Sequence, residues 1–129
     1  MRIYLVRHAE AAPGDPDRER PLTTTGLEQA RRVGERLADE TPRPVAVLTS
    51  PLLRARQTAE LIAAPLGLDA EPDDRLAPGA TAAGVRAAVA GRGDCVVVAH
   101  QPDCGAIAAE LTGGAEPAFP PAGMVVIEL

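Results

Sequence analysis

Lysine is absent from these 129 residues, and all 13 basic side chains are arginine. That excludes a Schiff base on a lysine amine and a Walker A phosphate loop, both of which need lysine. Any phosphate clamp must be built from arginine, histidine and backbone N–H groups. Tryptophan is also missing, and there is one tyrosine and one phenylalanine, so Ala, Val, Leu and Ile must fill the core. No apolar run approaches the ~20 residues of a membrane span. The short apolar run near the N-terminus leads into charge, unlike a signal peptide. The expected setting is cytoplasmic, with no membrane contact. A net charge of −5 argues against a nucleic-acid-binding face. Only two cysteines occur, Cys95 and Cys104; they read as small buried hydrophobes and not as a disulfide.

What is present fits a globular chain. The length predicts one domain over 1–129 with one core, and an apolar fraction of 46% is ordinary. Prolines and glycines, 13 and 12 in number, are scattered, which predicts frequent turns and no disordered tract. Strands are predicted at 2–6, 45–49, 94–99 and 124–129, with a short one at 68–71. Residues 12–21, APGDPDRERP, form a polar loop. Helices are predicted at about 26–40, 51–65, 80–90 and 102–112. Thr25 and Glu28 fit a capping box for the first, and Ser50-Pro51 a cap and first position for the second. Strands alternating with helices imply a mainly parallel sheet covered on both faces.

The chain has two histidines, and each ends an apolar run: IYLVRH at 3–8 and VVVAH at 96–100. In an open α/β sheet, ligands bind beyond the carboxyl ends of the strands. Ser50, with Arg54 close behind it, follows another strand end. If these strands are neighbours, Arg7, His8, Arg54 and His100 converge. Such a cluster is costly when empty: two like charges about 4 Å apart repel by ~1 kcal/mol in water and ~4 kcal/mol at an effective dielectric near 20. A phosphoryl group removes that cost, because forked guanidinium donors match its oxygens. A metal site from His8, Glu10, His100 and a cysteine is disfavoured by Arg7 and by the absence of zinc-like spacing.

These residues resemble a known family. VRHAEA looks like the RHG signature of the histidine phosphatase (phosphoglycerate mutase-like) superfamily. RPLTTTG at 20–26, SPLLRARQTA at 50–59 and VVVAHQPDCGAIAAELTGG at 96–114 resemble further blocks, in family order and over essentially the whole chain. The small SixA-type members are most similar. The resemblance implies a single-domain three-layer α/β sandwich without a large lid insertion. It also implies a metal-independent phosphatase without cofactor, in which His8 is phosphorylated and Arg7, Arg54 and His100 surround the phosphoryl group. His8 is expected to donate one ring N–H to a backbone carbonyl, and His100 to be a cation. Arg20 and Gln101 are weaker candidates for substrate binding.

Two departures stand out. Ala9 replaces the glycine of the signature, which is harmless only where φ is negative. The stretch DDRLAPGATAAG, where many members insert a segment bearing a glutamate acid, offers no evident acid; Glu10, Asp73, Asp74 and Asp103 remain by elimination. A phosphohistidine on a partner protein depends less on an enzyme acid than an alkyl ester does. The resemblance to the SixA-type members, which also lack that insertion, implies such a phosphohistidine as the substrate, and the missing acid is consistent with it; a small phosphorylated metabolite is the alternative and a non-catalytic phosphoprotein-binding module stands behind both. Oligomeric state stays open, a monomer included.

Overall fold

A computed structural model describes residues 1–129. The chain runs β1 (Arg2–Arg7), α1 (Thr24–Ala38), β2 (Ala46–Thr49), α2 (Leu53–Leu66), β3 (Ala70–Pro72), α3 (Ala82–Val89), β4 (Cys95–Ala99), α4 (Asp103–Thr112) and β5 (Met124–Glu128). Single 3₁₀ turns lie at Asp17–Glu19 and Asp74–Leu76. The five strands form one sheet in the order β3-β2-β4-β1-β5. β1, β2, β3 and β4 are mutually parallel where they pair, and β5 runs antiparallel to β1. No helix is long and apolar enough to cross a membrane.

Side-chain alternation divides the core. Tyr4, Val6, Val47, Val96 and Val98 pack with α1 and α2 through Leu37, Ala55, Ala59 and Ile62. Ile3, Leu5, Leu48 and Val97 face the other way, against Val85 and Val89 of α3 and Ile107 and Ala108 of α4. This is the predicted three-layer α/β arrangement. β4 is buried along its whole length, which is why it reads as an uninterrupted apolar run. α1 and α2 approach closely at Gly34, where a Cβ would come within 2.8 Å of the Leu61 carbonyl oxygen. Both cysteines are buried and free.

Register matters most for function. Arg7 pairs with Ala99, and Thr49 with Val98, so β1, β4 and β2 end side by side. Two helices start elsewhere than predicted. α1 is capped by Thr23, whose Oγ1 accepts the Gly26 N–H at 3.0 Å. Thr25 and Glu28 do not form the expected box. The reason is tertiary: the Thr23 N–H donates to the Glu10 carbonyl and its hydroxyl to the Glu10 carboxylate (3.0 and 2.7 Å). α2 begins at Leu53 instead of Pro51, because Ser50 continues the sheet by donating its N–H to the Val98 carbonyl at 3.0 Å.

Candidate active site

The sheet rim delivers the two imidazoles together. β1 ends at Arg7 and hands on to His8, whose N–H donates to the Ala99 carbonyl at 3.0 Å. β4 ends at Ala99 and hands on to His100. The ring centroids lie 5.2 Å apart with planes inclined by 58°. His8 Nδ1 is 2.7 Å from the Ala9 carbonyl oxygen. A carbonyl only accepts, so Nδ1 carries the proton and Nε2 keeps a lone pair. His100 is 4% exposed, and its Nε2 lies 2.7 Å from Ser50 Oγ.

The guanidiniums complete the cup. Arg54, in the first turn of α2, is 7% exposed. It donates Nη1 to the Asp17 carbonyl (2.9 Å) and Nη2 to the Asp17 carboxylate (3.2 Å). Arg7 donates Nη1 to the Phe119 carbonyl (2.9 Å). Three buried side-chain nitrogens lack any partner: Arg7 Nε, Arg54 Nε and His100 Nδ1. All three belong to this cluster. A buried donor left unpaired costs about 1–3 kcal/mol, so the fold carries a deficit here that an anion would relieve.

Burial and the neighbouring positive charges also set the protonation states. Burial lowers the His8 pKa most, and Arg54, Arg7 and Arg20 lower it further, against the Ala9 carbonyl, which raises it. His100 is lowered to about 4, by burial first, then by His8 and Arg54. Burial therefore favours a neutral His100 on its own, whereas the cation anticipated above is one that faces a phosphoryl group. The cause is its position: it is almost sealed from water beside His8 and the guanidiniums of Arg54 and Arg7, and only the charge of Asp17 favours the proton.

The weaker candidates lie close by but are engaged. Arg20 donates Nε to the Ala12 carbonyl (2.8 Å) and Nη1 to Asp17 (3.1 Å). Gln101 accepts the Gly105 N–H at 2.7 Å and so serves the first turn of α4. Among the carboxylates, Glu10 accepts from Thr23, Asp73 pairs with Arg75, and Asp103 accepts the Gly79 N–H. Asp74 opens its 3₁₀ turn. Ala122 is the one non-glycine residue with positive φ, at 61°, so Ala9 has negative φ and its methyl is accommodated without strain.

Two residues that sequence reasoning passed over matter here. Asp17 is 66% exposed at its side chain yet bridges Arg20 and Arg54. Those two guanidiniums hold its carboxyl below the usual range, Arg20 contributing most. Thr58 is fully buried. Its Oγ1 accepts the Ala9 N–H (3.0 Å) and donates to the Arg54 carbonyl (2.8 Å), tying the His8 loop to the Arg54 helix. The polar residue pattern of RARQTA hints at Thr58, but nothing local links Asp17 to Arg54.

Comparison with known proteins agrees with this geometry. The family model described as Histidine phosphatase superfamily (branch 1) matches residues 3–78. The phosphohistidine phosphatase SixA of Escherichia coli (strain K12) is 34% identical over 125 residues, which cover 91% of this chain and 78% of SixA. An uncharacterized protein of Picosynechococcus is 42% identical over 114 residues, 81% of this chain and 69% of its own. The solved structure of the protein histidine phosphatase SixA complexed with tungstate has a TM-score of 0.90 and 33% identity, covering all of this chain and 88% of that one. The chain belongs to the histidine phosphatase superfamily, and its chemistry is hydrolysis of a phosphate substrate.

Proposed function

We propose that this protein removes the phosphoryl group from a phosphohistidine on a partner protein, by way of a phosphorylated His8. In the first step His8 Nε2 attacks phosphorus in line with the substrate's P–N bond. That bond breaks, and the leaving imidazole keeps the electron pair. His8 now carries phosphorus on Nε2 and a proton on Nδ1, and the Ala9 carbonyl supports the resulting imidazolium. In the second step water attacks phosphorus and the P–Nε2 bond breaks with its electron pair returning to Nε2; one proton of the water passes to bulk solvent as inorganic phosphate leaves, and His8 is again neutral with its proton on Nδ1.

Arg7 and Arg54 neutralise charge on the equatorial oxygens, and His100 donates a hydrogen bond. Positioning and charge stabilisation are the main demands of phosphoryl transfer. The observation that carries this reading is the convergence of three unpartnered buried nitrogens beside a histidine with a free Nε2 lone pair.

Two features favour a phosphohistidine over an alkyl ester. The leaving imidazole needs less help from an acid. The stretch from Asp73 to Gly84 is only a 3₁₀ turn, a short loop and the start of α3, so no inserted lid separates the rim from a protein side chain. The similarity to SixA points the same way. Turnover of a phosphohistidine-bearing protein domain should exceed that of alkyl and aryl phosphates by orders of magnitude in kcat/KM. Activity confined to alkyl esters would move the substrate to the small-metabolite class.

A further inference from the structure

Ser50 stands one residue beyond β2, fully buried, and its hydroxyl has two neighbours. The Leu52 N–H donates to Oγ at 3.2 Å. That occupies one lone pair and leaves the hydroxyl proton to be placed. The only other partner is His100 Nε2 at 2.7 Å. A buried hydroxyl retains its proton in a hydrogen bond where one is available, so Ser50 donates to Nε2. An imidazole that accepts at Nε2 carries its proton on Nδ1. Nδ1 is the His100 nitrogen that is buried and unpartnered.

We propose that Ser50 is a positioning residue that selects the Nδ1–H tautomer of His100, so that a neutral imidazole offers a hydrogen-bond donor to a phosphoryl oxygen. The inference rests on the phosphoryl reading of the site. It supplies what that reading needs from a ring surrounded by Arg7 at the end of β1, His8 just beyond it, Arg54 on α2 and, through the polar loop, Asp17. With two guanidiniums and the His8 imidazole as neighbours, an imidazolium at His100 would be costly on its own. A tautomer fixed by a hydroxyl avoids that cost and keeps the donor in place before the anion arrives. When the phosphoryl dianion binds, the same geometry tolerates proton uptake at Nε2, because the Ser50 hydroxyl can rotate to accept instead.

Nitrogen-15 NMR of the intact protein, free of phosphate, reads the tautomer directly. His100 should show a pyrrole-type Nδ1 and a pyridine-type Nε2. A proton on Nε2, or an averaged pair, would overturn the assignment without recourse to any variant. Ser50→Ala adds a second reading: tungstate affinity should fall about tenfold, the scale of one lost charge-assisted hydrogen bond, and the Nδ1 signal should lose its pyrrole character. Unchanged affinity with an unchanged tautomer would equally remove the role. If His8 still traps phosphate while the His100 proton sits on Nε2, only the role of Ser50 fails. The reverse pair of results would leave the tautomer standing and remove the phosphatase step.

Discussion

The ends of β1 and β4 each hand on to a histidine, and in the proposed reaction the two rings serve opposite tasks. His8 and His100 each follow an apolar strand, and their rings lie 5.2 Å apart. The difference is the tether. His8 leans on a carbonyl, which can only accept, so Nε2 is left as a nucleophile. His100 leans on a hydroxyl that already accepts from Leu52 and is free to donate, so its outer nitrogen is left as a donor. In the proposed reaction, adjacent strands of one sheet supply an attacking group and an oxygen-binding group from identical side chains. What separates their nitrogens is one hydrogen-bond partner each; His8 is also half-buried where His100 is sealed from water.

Substitutions that cut into this pairing should differ in scale. Arg54→Ala and His100→Ala each remove a transition-state donor and should lower kcat by roughly 10²–10³. Rapid-quench kinetics should show both variants still forming a phosphoenzyme, only slowly. A loss under threefold in either would contradict its place around the phosphoryl group.

Acid should act on both rings through stability. The folded pKa of His100 is about 4 and that of His8 is also lowered, so between the ordinary histidine value and pH 4 the unfolded chain binds more protons. The contribution of these two rings to stability is therefore complete above about pH 6.5 and is lost as the pH falls toward 4, by roughly 3 kcal/mol for His100 alone. Urea midpoints measured from pH 7.5 to 4.5 should fall, and His100→Ala should flatten the slope. A midpoint that rises on acidification would reverse the sign.

Asp17 gives a smaller effect. Its carboxylate pairs with Arg54, so Asp17→Asn should tighten tungstate binding by about three- to fivefold, the modest scale of an exposed ion pair. Weaker binding would mean that Asp17 helps to hold the anion instead of competing with it. The smallest effect is at Ala122, held at φ 61° with its N–H on the His8 carbonyl. Ala122→Gly relieves left-handed strain at some entropic cost and should raise stability by up to ~1 kcal/mol with turnover unchanged. Destabilisation in a urea titration would show that the methyl packs usefully.

Much of this is legible in the sequence. Apolar runs marked the strands, and the rule that ligands gather at carboxyl ends singled out Arg7, His8, Arg54 and His100. What periodicity could not supply was adjacency: only the order β2-β4-β1 brings those ends together. The same limit explains the misplaced helix starts. Thr23 and Ser50 take their places from Glu10 and Val98, partners distant in sequence. Asp17 escaped notice for the same reason, since its arginine lies 37 residues away. Thr58 looked like any helical threonine until Ala9 was seen beside it.

The most direct measurement is covalent. Brief reaction with a phosphohistidine protein substrate bearing radiolabelled phosphate, quenched in alkali, should leave an alkali-stable, acid-labile label on the wild-type chain. Peptide mapping should place it on His8, and His8→Ala should carry none. Label on another residue, or full turnover by His8→Ala, would contradict the account.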